Sequence, residues 1–185
     1  MSTEVFEGIF KDGKVVVSSR EEAASLSQYG YGTLREDSGS ILDSYEALYL
    51  LSDGRLRVVY GETGSEMIFP ELLEKFHSDD TEVWTRYLIY RDLRSRGYAV
   101  RRGFGFNIDF RVFERGKYGK EAAKYIVFGV CEGGPVSISK LAKVLRFVSS
   151  VKKELILAVV DRRGEIVYYS ASPLTFKRDV YTEKD

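Results

Sequence analysis

Residues 153–170 of the sequence, KELILAVVDRRGEIVYYS, contain two strand-like segments separated by a turn. Leu155–Val160 is an unbroken apolar run, which is typical of a strand buried on both faces. Asp161–Gly164 has turn composition and leads into the second segment, Glu165–Ser170. The sequence therefore predicts two consecutive strands joined by a turn, the first of which is buried.

The region before these strands predicts two helices with further strands between them. Thr81 is a candidate N-cap for a long helix that carries apolar residues at three-to-four spacing and ends at Gly97. Ser137 or Ser139 is a candidate cap for a second helix, with Ile138, Leu141, Ala142, Leu145 and Val148 on one face. The strands predicted between the helices are Tyr98–Arg102, Asp109–Glu114 and Tyr125–Val130. This order predicts an α/β domain with a mixed central sheet over residues 81–185.

Residues 1–80 predict a smaller N-terminal α+β domain. Two strand-like pieces flank the turn sequence Lys11-Asp12-Gly13, and Glu21–Gln28 is a short helix candidate. Asp43-Ser-Tyr-Glu46 has the form of a capping box before the apolar run 47–51, and Pro70 suits the first turn of a third helix. His77–Thr81 is polar and predicts a turn, so we place the domain boundary there.

The composition excludes several classes of protein. A chain of 185 residues with 44% hydrophobic and 30% charged residues is neither disordered nor collagen-like. The apolar runs are too short for a membrane helix, residues 1–20 lack a signal-peptide core, and one Cys cannot form an internal disulfide. We therefore expect a soluble cytoplasmic protein without a membrane partner. The single Asn and single Gln beside many charges are typical of a thermophilic source.

The net charge of zero conceals an opposite charge on each half of the chain. Residues 1–80 contain 7 Lys and Arg against 16 Asp and Glu, a net charge of −9, whereas residues 81–185 contain 21 against 12, a net charge of +9. A basic C-terminal half is expected of a surface that binds phosphates. Attraction between the two halves, within a chain or between copies, is an equally good interpretation of the charge alone.

Several ordered motifs carry a resemblance to a known family. They are YRDLRSRGY at residues 90–98, GFGFNIDFRV at 103–112 and SVKKELILAVVD at 150–161, followed by Tyr168-Tyr169. With the Gly30-Tyr-Gly32 turn and the apolar run from Glu46 to Leu51, the sequence resembles the archaeal tRNA-splicing (tRNA-intron) endonucleases over nearly its whole length. The resemblance implies excision of introns from precursor tRNA at a bulge–helix–bulge, by attack of a ribose 2′-oxygen without a metal or other cofactor. The products would carry a 2′,3′-cyclic phosphate and a 5′-hydroxyl.

The resemblance also implies three catalytic positions, of which two are altered. The family uses a Tyr as base, a His as acid and a Lys beside the phosphorane charge. The matching residues here are Phe113, Ala122 and Lys153, so no complete catalytic set is present and only the Lys is retained. Phenyl and methyl groups carry no exchangeable proton.

This pattern resembles the structural subunit of a heterotetrameric (αβ)₂ family enzyme, in which a paralogous chain performs cleavage. Its role would be to supply assembly surfaces and contacts to precursor tRNA. The candidate RNA-binding residues are Arg146, Lys152, Lys153, Arg111 and Arg115. The resemblance implies an interface at the loop and the final strand, with the candidate residues Asp161, Glu165, Ile166, Val167, Tyr168 and Tyr169. Arg162 and Arg163 depart from the family's acidic loop, which leaves the subunit that the loop contacts open.

Two other functions remain open at the level of sequence. In the first, the chain is an active nuclease whose base and acid have moved, with Tyr118 and Tyr125 near the altered positions. In the second, the chain is an RNA-binding module outside splicing whose basic face comprises Arg94, Arg101, Arg102, Arg111, Arg115, Lys117, Lys120 and Lys124. A magnesium-dependent nuclease is rejected because no acid-x-Lys triplet follows Asp109, and zinc is excluded by one Cys and one His.

Overall fold

A computed structural model describes residues 4–36, 39–105 and 108–174, so residues 175–185 of the predicted C-terminal domain lie outside the described residues. The first part of the chain forms a six-stranded sheet with three helices. Its strands are β1 (Phe6–Lys11), β2 (Lys14–Val17), β3 (Thr33–Leu34), β4 (Ser40–Leu42), β5 (Leu56–Tyr60) and β6 (Glu66–Met67). Its helices are α1 (Arg20–Gln28), α2 (Ser44–Ser52) and α3 (Phe69–Asp79).

The second part forms a five-stranded sheet with a helix on each face. Its helices are α4 (Val83–Ser95) and α5 (Ile138–Ser150), and its strands are β7 (Ala99–Arg102), β8 (Phe110–Phe113), β9 (Tyr125–Cys131), β10 (Glu154–Val160) and β11 (Ile166–Ala171). The sheet order is β11-β10-β9-β8-β7, and β9 and β10 run parallel while the other neighbours are antiparallel. The predicted mixed sheet and the two-part α+β and α/β architecture are confirmed.

Local sequence signals account for most element ends. Asp12 and Gly13 both have positive φ between β1 and β2, as a two-residue hairpin loop requires. The backbone N–H of Asp43 donates to Glu46 Oε2 at 3.0 Å, which is the second half of the predicted capping box. The backbone N–H of Lys140 donates to Ser137 Oγ at 3.3 Å, so Ser137 rather than Ser139 caps α5.

Three local predictions are wrong. His77 is helical because α3 continues to Asp79, so the predicted turn begins only at Asp80. The N-cap of α4 is Glu82 rather than Thr81. Ile138 is exposed at the first turn of α5, whose buried residues are Val148, as predicted, and Val144, which was not predicted. The division of the chain at residues 80 and 81 falls in the connection between α3 and α4 and stays a prediction.

One hydrophobic core continues through both sheets. The buried cluster extends from Phe6 in β1 to Val160 in β10, and a smaller cluster lies between the sheet and α5. At the centre of the larger cluster, the Tyr45 ring of α2 lies 4.9 Å from Tyr90 of α4 and 5.0 Å from Phe110 of β8, between ring centroids. Aromatic pairs at such distances attract each other beyond their burial, so α2 and α4 hold the two sheets in a fixed relation.

Candidate functional site

Lys153 is positioned by the end of α5. Beyond the C-cap residue Val151, Lys152 has a φ of 53°, and its N–H donates to the Ser149 carbonyl at 3.2 Å. The Lys153 N–H donates to the Val148 carbonyl at 3.1 Å. These two hydrogen bonds form a Schellman motif, whose left-handed position usually holds Gly. The motif turns the chain sharply from α5 into β10 and fixes the backbone of both lysines.

A cavity of about 320 Å³ brings Lys153 together with Ala122. Ala122 precedes β9 and Lys153 precedes β10. Because β9 and β10 are parallel neighbours, Ala122 and Lys153 lie at the same end of these two strands. The cavity is lined by Ala122, by four lysines and by three glutamates: Lys117, Lys124, Lys152, Lys153, Glu114, Glu121 and Glu154. The structure therefore places two of the three positions of the predicted catalytic site in one cavity.

Ion pairs occupy most of the charge in this cavity. Lys124 Nζ lies 2.8 Å from Glu114 Oε1 and 3.8 Å from Glu154 Oε1, and Lys117 pairs with Glu121. The hydrogen bond from Lys124 lowers the pKa of Glu114, and the same bond is the main cause of the raised pKa of Lys124. Within the described ranges, the half-buried Lys153 has no carboxylate partner within 4.0 Å.

The third position, Phe113, ends β8 and contacts an aromatic neighbour instead. Its ring packs edge-to-face on Tyr118, with 5.0 Å between centroids and 89° between planes. On its other face the Tyr118 ring lies against Gly30 of the first part of the chain. A Cβ added to Gly30 would be only 3.2 Å from this ring. Tyr118 thus packs between Phe113 and the Gly30–Gly32 turn, in which Gly30 has a φ of 76° that favours glycine.

The predicted basic residues divide into an exposed group and a half-buried group. Arg146 and Lys152 are exposed at the C-terminal end of α5, and Arg115 is exposed beyond β8 with its guanidinium 5.0 Å from the Tyr98 ring centroid. Arg94 and Arg101 are not part of an exposed face, which corrects the basic face predicted for an RNA-binding module. Both guanidinium groups face the Gly30–Gly32 turn, where Arg94 donates to the Tyr29 carbonyl at 3.1 Å.

The sequence did not indicate the buried ion pair between Arg101 and Glu46. Arg101 Nη1 lies 3.4 Å from Glu46 Oε1, and Arg101 also donates to the carbonyl oxygens of Gly30 and Gly32 at 3.0 and 2.6 Å. Glu46 is fully buried, and burial raises the pKa of its carboxyl group to about 7. The capping box identifies Glu46 as a residue with a structural role. It does not identify Arg101 as the partner, because Arg101 is 55 residues away in the chain.

The predicted interface residues lie on the loop after β10 and on β11. Asp161 Oδ1 accepts from the N–H groups of Arg163 and Glu165 at 2.8 and 2.9 Å, and these bonds help to lower the pKa of Asp161. The guanidinium of Arg163 pairs with Glu165 at 3.2 Å, so both acids have partners within the loop. Val167 and Tyr169 project from β11 with more than half of each side chain exposed.

Among residues 4–36, 39–105 and 108–174, no group of three or more His, Cys, Asp or Glu side chains is arranged to hold a metal ion. In the same part of the chain, every helix is too short or too polar to cross a membrane.

Comparison with known proteins gives consistent matches over the two parts of the fold. The profile of the tRNA intron endonuclease N-terminal domain matches residues 6–73, and that of the tRNA intron endonuclease catalytic C-terminal domain matches residues 83–168. A tRNA-splicing endonuclease of Methanococcus vannielii is 36% identical over 86% of this chain and 89% of its own length. The tRNA-splicing endonuclease of Pyrococcus furiosus is 33% identical over 86% of this chain and 92% of its own. That of Methanosarcina mazei is 34% identical over 87% of this chain but only 45% of its own length.

Proposed function

This chain belongs to the tRNA intron endonuclease family, and from that membership we propose that it is the structural subunit of a heterotetrameric (αβ)₂ enzyme. The enzyme would excise introns from precursor tRNA at bulge–helix–bulge sites. Cleavage would be performed by a paralogous chain with intact Tyr, His and Lys residues. This chain would contribute assembly surfaces and contacts to the RNA.

The observation that carries the proposal is the content of the cavity around Lys153. Its lining contains a methyl group at Ala122 and ion-paired glutamates, and the nearby Phe113 ring packs against Tyr118. In-line attack on a phosphodiester needs a proton acceptor for the 2′-oxygen and a proton donor for the leaving oxygen. Neither Phe113 nor Ala122 supplies such a group.

The ion pairs in the cavity also argue against Glu114 and Lys124 as a relocated base and acid. Glu114 is a poorer base than an ordinary carboxylate because its ion pair with Lys124 lowers its pKa. Lys124 is a poor acid for the converse reason, since the same pair raises its pKa. All three glutamates of the lining lie within 4.0 Å of a lysine, so none of them is a free carboxylate base.

Contacts to the RNA are assigned in this proposal to cations at the end of α5 and on β8. Arg146 and Lys152 are exposed on the +9 half of the chain, and Lys153 borders the cavity next to them. Arg111 lies in β8, and Arg115 lies two residues beyond its end. Phosphate contacts by such residues make binding strongly dependent on salt concentration.

Assembly is assigned to β11 and the loop before it. In the described part of the chain, β11 pairs on one side only, with β10, and therefore presents an edge. An exposed apolar edge strand is an aggregation hazard unless a fixed partner covers it. Pairing with the final strand of the catalytic chain would cover Ile166–Tyr169, and the Asp161–Glu165 loop would lie beside that contact.

The test is a cleavage assay on an RNA with a bulge–helix–bulge. The purified chain alone should release no 2′,3′-cyclic phosphate, and cleavage should begin when the family paralogue from the same genome is added. A paralogue that restores no cleavage in the mixture would favour an RNA-binding role outside splicing. Cleavage by the lone chain that Lys153→Ala abolishes would overturn the structural role.

The RNA contacts are tested separately through the salt dependence of binding. Arg146→Glu with Lys152→Glu should weaken RNA binding by the assembled enzyme and reduce the slope of log K against log salt concentration by about 1.5 to 2. The matched control is Lys11→Glu with Lys14→Glu, which makes the same change in net charge on exposed residues of the first hairpin. An unchanged slope in the first variant would exclude Arg146 and Lys152 as phosphate contacts.

A further inference from the structure

An exposed aromatic ring lies beside the cations to which we assign the RNA contacts. Phe104 follows β7, and 45% of its side chain is exposed. A single exposed apolar residue is common on protein surfaces, so the contacts around Phe104 decide whether its ring can bind a ligand. The neighbours of the Phe104 ring are a second aromatic ring and a guanidinium group, which together indicate the kind of ligand that it binds.

The ring is held in place by its backbone. The Gly103 N–H donates to the Asp109 carbonyl at 2.8 Å, and the Ile108 N–H donates to the Gly105 carbonyl at 3.0 Å. A Cβ on Gly103 would lie 2.1 Å from the Ile108 carbonyl oxygen, so only Gly permits this close approach. The two glycines on either side of Phe104 therefore allow its backbone to lie close to Ile108 and Asp109.

Two side chains complete a platform of Phe104, Phe147 and Arg111. The Phe104 ring packs edge-to-face on Phe147 of α5, with 5.6 Å between centroids and 84° between planes. The Arg111 guanidinium carbon lies 5.3 Å from the Phe104 centroid, and Arg111 Nε donates to the Arg102 carbonyl at 3.0 Å. The guanidinium is thus fixed next to the ring by a second contact.

We propose that this platform stacks an unpaired base of the RNA. Bases that are not paired stack on aromatic rings and on Arg guanidinium planes, and the platform offers both side by side. Arg146, which precedes Phe147 on α5, is exposed and available to the phosphate of the stacked nucleotide. The position on the +9 half of the chain favours a nucleic acid over an apolar protein partner. The inference rests on the proposed RNA-binding role of the chain.

The test compares two RNAs of equal length and charge, one fully paired and one with unpaired bulges. Phe104→Ala should weaken binding of the bulged RNA about tenfold and leave binding of the paired RNA unchanged. The salt slope should not change, because no phosphate contact is lost. A 2-aminopurine in the bulge should be quenched by the wild-type chain and not by Phe104→Ala.

Three further variants control this result. Phe104→Trp should retain binding, whereas Phe104→Leu, which keeps an apolar contact with Phe147, should lose it as Ala does. Trp84→Ala is the matched control, since Trp84 is 44% exposed on α4 away from the platform, and should bind both RNAs as the wild type does. Wild-type binding to bulged RNA with no effect of Phe104→Ala or Phe104→Leu overturns the platform alone. Failure of the wild type to bind either RNA overturns the RNA-binding role as well.

Discussion

Arg101 and Glu46 form a buried ion pair that joins the two sheets, with 3.4 Å between Nη1 and Oε1 and with 19% and 1% of their side chains exposed. Arg101 belongs to β7 and Glu46 to α2, so the pair connects the first part of the chain to the second. The same guanidinium binds the carbonyl oxygens of Gly30 and Gly32, and Gly30 contacts Tyr118 beside Phe113. The pair therefore holds the Gly30–Gly32 turn against which Tyr118 packs, next to Phe113.

Removal of the Arg101 guanidinium should strongly destabilise the protein. Arg101→Met leaves the Glu46 carboxylate buried without its partner, which lowers the free energy of unfolding by about 3–5 kcal/mol. The matched control is Arg102→Met, because Arg102 is exposed and its pair with Asp43 at 3.3 Å contributes less than about 1 kcal/mol. Urea unfolding at pH 8 measures both variants. Equal losses in the two would contradict the assigned role of Arg101.

The buried Glu46 predicts a stability that falls as the pH rises. Its carboxyl pKa is about 7 in the folded protein and 4.5 in the reference state, so between these values the folded chain binds more protons than the unfolded chain. The free energy of unfolding should therefore decrease between pH 4.5 and 7 by an amount on the order of 3 kcal/mol, and then level off. Titration of other groups overlaps this range and must be subtracted.

The variant Glu46→Gln measures the contribution of the other titrating groups, which can then be subtracted from the wild-type curve. The amide cannot titrate, although it turns an N–H donor towards Arg101 or the backbone N–H groups and lowers stability at every pH. The difference in unfolding free energy between wild type and Glu46→Gln should shrink from pH 5 to about pH 7 and then level off. Parallel pH curves for the two proteins would show that Glu46 does not titrate in this range.

The buried Tyr90 and the half-buried Tyr168 should respond in opposite ways to loss of the hydroxyl group. Among the described residues, the fully buried Tyr90 hydroxyl has no hydrogen-bond partner, so Tyr90→Phe should raise the free energy of unfolding by about 1 kcal/mol. The Tyr168 hydroxyl donates to Asp92 Oδ2 at 2.7 Å, and Tyr168→Phe should lower it by about 1.5 kcal/mol. Thermal unfolding should show shifts of about 2–4 °C per kcal/mol. Destabilisation by Tyr90→Phe would indicate a bound water at that hydroxyl.

The parts of the fold that could be predicted are those encoded by adjacent residues. The Asp12-Gly13 loop, the Asp43–Glu46 capping box and the apolar run of β10 each follow from a local rule. The strands β3 and β6 were not predicted, because each has two residues and no alternation of apolar and polar positions can appear in such a segment.

The candidate site was predictable only as far as its sequence motifs extend. The motifs identified the family and matched Phe113, Ala122 and Lys153 to it. They gave no indication that Glu114 and Glu154 would share Lys124, or that Arg94 and Arg101 would pack against the Gly30–Gly32 turn. These contacts join residues between 10 and 71 positions apart, and their formation depends on how the sheets pack rather than on local composition.

The exposed edge of β11 predicts a defined effect on assembly. Val167→Lys with Tyr169→Lys should prevent association with the catalytic chain, because two charges would replace the apolar side chains at the strand that we assign to the interface. Both side chains are exposed in the single chain, so its unfolding free energy should change by less than about 0.5 kcal/mol. Light scattering after gel filtration of the mixed chains measures the association. Leu34→Lys with Ile68→Lys, on comparably exposed positions, should leave it intact, and association of the β11 variant would place the interface elsewhere.

Lys152 carries both a strained backbone and a proposed RNA contact, and two substitutions separate these properties. Its φ of 53° is unfavourable for a residue with a Cβ. The free energy of unfolding of Lys152→Gly should therefore be about 1 kcal/mol higher than that of Lys152→Ala. Both variants remove the charge and should weaken RNA binding equally. Lys143 provides the control within α5, where Gly should be about 1 kcal/mol less stable than Ala. If Lys152→Gly is less stable than Lys152→Ala, the Schellman motif does not fix Lys153. If Lys152→Gly weakens RNA binding and Lys152→Ala does not, the backbone rather than the charge of Lys152 supports the contact.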